Sequence, residues 1–114
     1  MSAAYELYQQ GLRQLRQGMA PQATVALEKA KRLEPEKASI REALGIAYYR
    51  TTHWVAAEAE FRKVLELSPV DDYAHFALGK VLQKQGRDAE AGRHLKLAKW
   101  LRPRGPDEPT IEDD

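Results

Sequence analysis

The chain of 114 residues contains no cysteine, so disulfides, thiolate nucleophiles and zinc-thiolate centres are excluded, and a reducing compartment is permitted. No uncharged apolar stretch reaches membrane-spanning length. The first eleven residues lack the basic, apolar and small-residue segments of a signal peptide, so a cytoplasmic location is expected. An excess of one charge is also missing: 18 Lys and Arg face 17 Asp and Glu, a formal net charge of +1. A balance of this kind exerts little long-range pull on a polyanion. Glycine (7) and proline (6) are scarce enough that each position can be weighed by itself.

Three of the six prolines, Pro35, Pro69 and Pro103, are spaced 34 residues apart, and each closes a Leu-x-Pro run beginning at Leu33, Leu67 or Leu101. A fixed period of this length marks a stacked array whose units cannot bury their apolar faces alone. Aligned as 4–37, 38–71 and 72–105, the units share further columns: Gly11, Gly45, Gly79; Ala23, Ala57, Ala91; Leu27, Phe61, Leu95; Ala30, Val64, Ala98.

Within the second unit, apolar residues recur at helical spacing as Ile40, Ala43, Leu44, Ala47, Tyr48 and again as Trp54, Ala57, Phe61, Val64, Leu65. The third unit repeats this with Ala74, Ala77, Leu78, Val81, Leu82 and then Ala91, Leu95, Ala98, Leu101. Each unit therefore reads as two amphipathic helices. They are joined by short breaks at Gly18–Pro21, Thr51–His53 and Gly86–Arg87, which makes them antiparallel neighbours. The small residues of the shared glycine and alanine columns are expected to let helix axes approach. In the first unit Gln9, Gln10, Arg13 and Gln14 replace the later apolar positions, as befits a terminal unit with one face in water.

This 34-residue pattern, with a small residue eighth, alanine twentieth, an aromatic or leucine twenty-fourth and a closing proline, resembles the tetratricopeptide repeat (TPR). The resemblance covers residues 4 to about 103. It departs where the family's fourth-position tryptophan is Leu7, Arg41 and His75, and where the eleventh-position tyrosine remains only as Tyr48. It implies an all-α, right-handed α-solenoid of three helix-turn-helix repeats forming one domain over 4–103. An acidic, proline-rich and flexible tail is expected over 104–114.

By the same resemblance, the first helices of the units line a concave groove that takes a peptide or helix. Its side chains would be Tyr5, Tyr8, Leu12, Leu15 and Arg16, then Ser39, Glu42, Ile46, Tyr49 and Arg50, then Tyr73, Phe76, Lys80, Gln83 and Lys84. This describes an aromatic groove with a basic end, suited to a protein partner with an acidic segment. The family's clamp for chaperone tails needs Lys, Asn, Asn, Lys and Arg, where this chain has Tyr8, Leu12, Ala43, Tyr73 and Ala77, so that mechanism is rejected.

Two columns that are charged in earlier units turn apolar in the last helix, where Lys29 and Lys63 give way to Leu97, and Arg32 and Glu66 to Trp100. Such a face asks for a cover: the tail folding back with Ile111, a second copy, or another partner. A homodimer is the favoured expectation. The tail's acids, Asp107, Glu108, Glu112, Asp113 and Asp114, raise a further expectation that they compete for the basic last repeat or for a groove.

Catalysis is not expected, because no nucleophile–base pair, paired carboxylates or metal-ligand spacing occurs, and no cofactor or metal is implied. His53, His75 and His94 fall in a loop and on two separate helices. The reading is a non-catalytic interaction adaptor or scaffold. Its alternative is a helical-repeat protein binding single-stranded nucleic acid through Lys80, Lys84, Arg87, Arg93, Lys96, Lys99, Arg102 and Arg104. The near-neutral charge and the adjoining acidic tail weigh against that alternative.

Overall fold

The computed structural model describes residues 2–112. It contains six helices: α1 (Ala3–Arg16), α2 (Ala20–Leu33), α3 (Ala38–Arg50), α4 (Trp54–Leu67), α5 (Asp72–Lys84) and α6 (Asp88–Leu97), with no strand among the described residues. Each helix packs on the next in chain order, and α1 also reaches α3. The result is an all-α solenoid of three helical pairs, 41 × 27 × 26 Å.

Start signals are local. Ser2 caps α1, its hydroxyl accepting from the Tyr5 amide at 3.1 Å, and Asp71 caps α5, accepting from the Ala74 amide at 2.9 Å. The first helix of each pair ends in the same way. After α1, Gly18 N donates to Leu15 O and Met19 N to Gln14 O; Thr52 with His53 repeats the pattern after α3, and Gly86 with Arg87 after α5. These paired bonds turn the chain through a left-handed residue, at φ of 74° for Gly18, 62° for Thr52 and 75° for Gly86. The repeat thus carries a further shared column that its residue types hide, because Thr52 holds the position that glycine holds in the other two units.

The helices of each pair meet at the shared glycines. A methyl carbon added at Gly11 would lie 2.5 Å from Leu27 Cγ, at Gly45 2.8 Å from Phe61 Cε1, and at Gly79 2.7 Å from Leu95. The glycine column and the leucine–phenylalanine column are therefore one contact, repeated three times.

Successive repeats are joined by polar side chains as well as apolar ones. Glu60 on α4 is only 4% exposed and receives Lys31 of α2 at 2.7 Å and Arg41 of α3 at 3.1 Å. Arg41 also donates from Nε to Pro35 O at 2.8 Å, and in the next repeat His75 Nε2 meets Pro69 O at 2.9 Å. Arg41 and His75 stand in the column of the family tryptophan. Here they satisfy the proline carbonyl that closes the preceding repeat.

Helix α6 departs from the expected pattern. The apolar periodicity carries it to Leu101, yet it ends at Leu97, and residues 98–100 continue as turns. Most helix stability comes from packing rather than propensity, and no further helix lies against its far end among the described residues. Leu101 instead packs on the core from an irregular segment.

Candidate functional site

The chain's own residues 101–112 pack against residues of α1, α3 and α5. The segment first makes a turn in which Glu108 N donates to Gly105 O at 3.1 Å and Gly105 N donates to the Glu108 carboxylate at 3.0 Å. Arg102 reaches the same carboxylate at 3.2 Å. The Gly105 N–H, and then Arg102, hold the Glu108 carboxyl below its ordinary value.

Arg104 is the first anchor. Its guanidinium lies 3.6 Å over the Tyr73 ring, pairs with Glu42 at 3.0 Å and donates to Pro109 O at 3.0 Å. Burial raises the Glu42 carboxyl above its ordinary value, with Arg104 opposing the shift. Ile111 is the second anchor, 2% exposed within the core cluster. Its N–H donates to the Tyr73 hydroxyl at 2.7 Å. Burial pushes that hydroxyl up to about 12. Arg50 grips the main chain on either side of Ile111, donating from Nε to Thr110 O at 3.0 Å and from Nη2 to Glu112 O at 3.4 Å, while Nη1 holds Leu15 O at the end of α1 at 2.8 Å.

A cleft of about 840 Å³ remains between tail and solenoid, lined in part by Leu15, Arg16, Arg50, Tyr73 and Phe76. A second, of about 630 Å³, continues past Glu112 along Tyr49, Trp54, Lys80 and Lys84. There Tyr49 meets Trp54 edge-on at 5.1 Å, Lys84 lies 5.7 Å over the Trp54 ring, and Lys80 lies 5.9 Å over Phe76.

Among the positions read from the sequence, the structure brings Leu15, Arg16, Tyr49, Arg50, Tyr73, Phe76, Lys80, Gln83 and Lys84 to these two clefts. Leu12 and Ile46 are buried in the core cluster behind the groove, with Tyr8 packed against it. Tyr5 is exposed and lines neither cleft. Trp54, which the apolar periodicity of α4 includes, stands at the start of that helix beside the end of α3 and lines the second cleft.

The tail, expected to be flexible, is packed against α3 and α5 over its described residues. It is held by Arg104, Ile111 and main-chain bonds rather than by acids pressed on the last repeat. Asp113 and Asp114 lie outside the described residues. The tail leaves Leu97 and Trp100 open at 59% and 79% exposure, with Lys99 5.4 Å over the Trp100 ring. Ile111, one candidate cover for that face, is buried in the groove instead.

Comparisons with known proteins agree with this architecture. A tetratricopeptide-repeat family model matches residues 8–72 and 43–109. Superkiller complex protein 3 of Mus musculus is 32% identical over 96 residues, which is 84% of this chain but 6% of that protein. The solved structure of YrrB, described as a TPR protein with an unusual peptide-binding site, superposes with a TM-score of 0.83 at 19% identity, covering 90% of this chain and 53% of that one. The second TPR of Spaghetti (RPAP3), bound to the HSP90 peptide SRMEEVD, gives a TM-score of 0.83 at 16% identity, over 89% and 94% of the two chains. With repeat period, helix pairing and family match in agreement, the chain belongs to the tetratricopeptide-repeat family.

Proposed function

We propose that this protein is a non-catalytic interaction scaffold that binds a peptide segment of a partner protein along the concave face of α1, α3 and α5. The observation that carries this reading is the main-chain grip on Thr110, Ile111 and Glu112 by Arg50 and Tyr73. Hydrogen bonds to backbone groups do not depend on side-chain identity, so a groove that holds its own chain this way suits other segments. The peptide-binding descriptions of YrrB and of the Spaghetti domain support the reading at the level of fold. Self-association through Leu97 and Trp100 belongs to the same proposal, since both stay exposed at the end of the stack.

Nucleic-acid binding draws less support. Within the basic stretch Arg87 pairs with Glu58 and Glu90, Arg102 with Glu108, and Arg104 with Glu42. Cations already neutralised by carboxylates release few phosphate counterions.

Panning a displayed peptide library against the full chain tests the groove. Selected peptides are expected to lose binding on Phe76→Ala and Tyr49→Ala, both substitutions leaving the helical circular dichroism intact. Selected peptides indifferent to both substitutions would contradict the reading.

A further inference from the structure

The groove has opposite charge at its two ends. Glu42, Asp71 and Asp72 gather where α3 and α5 begin, Asp71 and Asp72 lining a small cleft with Tyr73 and Arg104. Arg50, Lys80 and Lys84 stand toward the other ends of the same helices. The tail runs between them in the complementary sense, with Arg102 and Arg104 at the acidic end and Glu112 at the basic end. Tyr73 stands beside the acidic end, next to Asp72, and reads the segment twice. Its face takes the Arg104 guanidinium, and its hydroxyl takes the Ile111 amide seven residues later.

Neither contact is an accident of a loose terminus. Ile111 is as buried as the helical core, and the Arg104–Glu42 pair is shielded on both sides, at 14% and 16% side-chain exposure. Without the guanidinium, Glu42 would be a partly buried carboxylate stripped of its cation, an arrangement that costs stability until another cation arrives.

Resting on the peptide-scaffold reading above, we infer that the groove is specific for a segment carrying an arginine, then a β-branched aliphatic residue, then an acid, and that residues 104–112 occupy it in cis as a resident ligand that such a partner must displace. Tethering gives the tail an effective concentration of about millimolar, so a free segment of equal intrinsic affinity competes poorly until the tail is weakened. The directional charge fixes which way the segment lies.

The test uses the full chain and a fluorescent peptide of residues 102–114. Two variants undock the tail independently: Ile111→Asp, and the milder Arg104→Ala, which leaves the core untouched should the first fail to fold. Both, checked by circular dichroism, are expected to bind the peptide at least about tenfold more tightly than wild type, the difference being the loss of the tethered competitor. A peptide with its end charges exchanged, Arg102 and Arg104 to Glu and Glu112, Asp113 and Asp114 to Lys, is expected to bind at least about tenfold more weakly, given the worth of close charge pairs at an interface. Equal binding of the two peptides, or no binding of the native peptide to either folded variant, would overturn the inference. A wild-type dimer by light scattering that dissociates on Ile111→Asp would place the tail in a second copy and overturn the cis arrangement. Should the inference fail while library peptides still depend on Phe76 and Tyr49, the scaffold reading stands and only the tail loses its role as template.

Discussion

Gly45 and Thr52 illustrate opposite uses of a small or flexible position. At Gly45 the space for a side chain is already taken by Phe61, 2.8 Å from where a β-carbon would stand. Gly45→Leu must push α3 from α4, and overpacking of this kind costs about 1–3 kcal/mol. A lowered Tm by calorimetry is the expected result, and an unchanged Tm would contradict the register of the repeats. At Thr52 the constraint lies in the backbone, since φ of 62° is left-handed and no other described residue outside glycine shares it. Its counterparts in the flanking repeats, Gly18 and Gly86, carry no such strain. Thr52→Gly is expected to raise stability by about 0.5–1 kcal/mol, the net of relieved strain and a looser unfolded chain. A fall in Tm would show that the Thr52 hydroxyl, which donates to Thr51 O, matters more than the backbone.

Between elements, the polar seams respond to pH. His75 of α5 and His94 of α6 stack at 5.4 Å with their Nδ1 atoms 3.1 Å apart. The Pro69 carbonyl can only accept, so His75 Nε2 carries a proton. Burial, followed by the nearby His75 and Arg62, pushes His94 below its ordinary value, with Glu90 opposing and Arg93 adding a little. The unfolded chain then binds more protons than the folded chain near the ordinary imidazole pKa of about 6.5. Stability therefore falls as pH drops through that value toward the depressed folded one. Tm measured at pH 7.5 and 5.5 is expected to fall further in wild type than in His94→Gln, and equal falls would contradict the assignment. The helices themselves were legible because packing columns repeat: Gly11, Gly45 and Gly79 with Leu27, Phe61 and Leu95 state the pairwise contact three times. The end of α6 was not, because periodicity at Ala98 and Leu101 records an apolar face without recording that no further helix lies against it.

In the whole molecule, the tail could be named from the sequence as a competitor for a groove, but the contacts that hold it could not. The tail's composition, with Pro103, Pro106 and Pro109 and its acids, argues for solvated chain, and nothing local reveals that Arg104 and Ile111 meet Tyr73 from opposite ends of a turn. That contact spans 31 and 38 residues of sequence and is a property of the folded stack. The exposed Leu97 and Trp100 carry a separate expectation. Light scattering over a hundredfold concentration range should reveal a wild-type dimer that Trp100→Ala abolishes, whereas monomers in both would remove self-association from that face. The central claim, that the concave face holds a peptide segment by its main chain, is tested most directly by nitrogen-15 relaxation of the Thr110 and Ile111 amides. In wild type they should be as rigid as the amides of α3 and α5, and in Arg50→Ala they should become markedly more mobile while the helices stay unchanged. Wild-type Ile111 relaxing as free chain would contradict it.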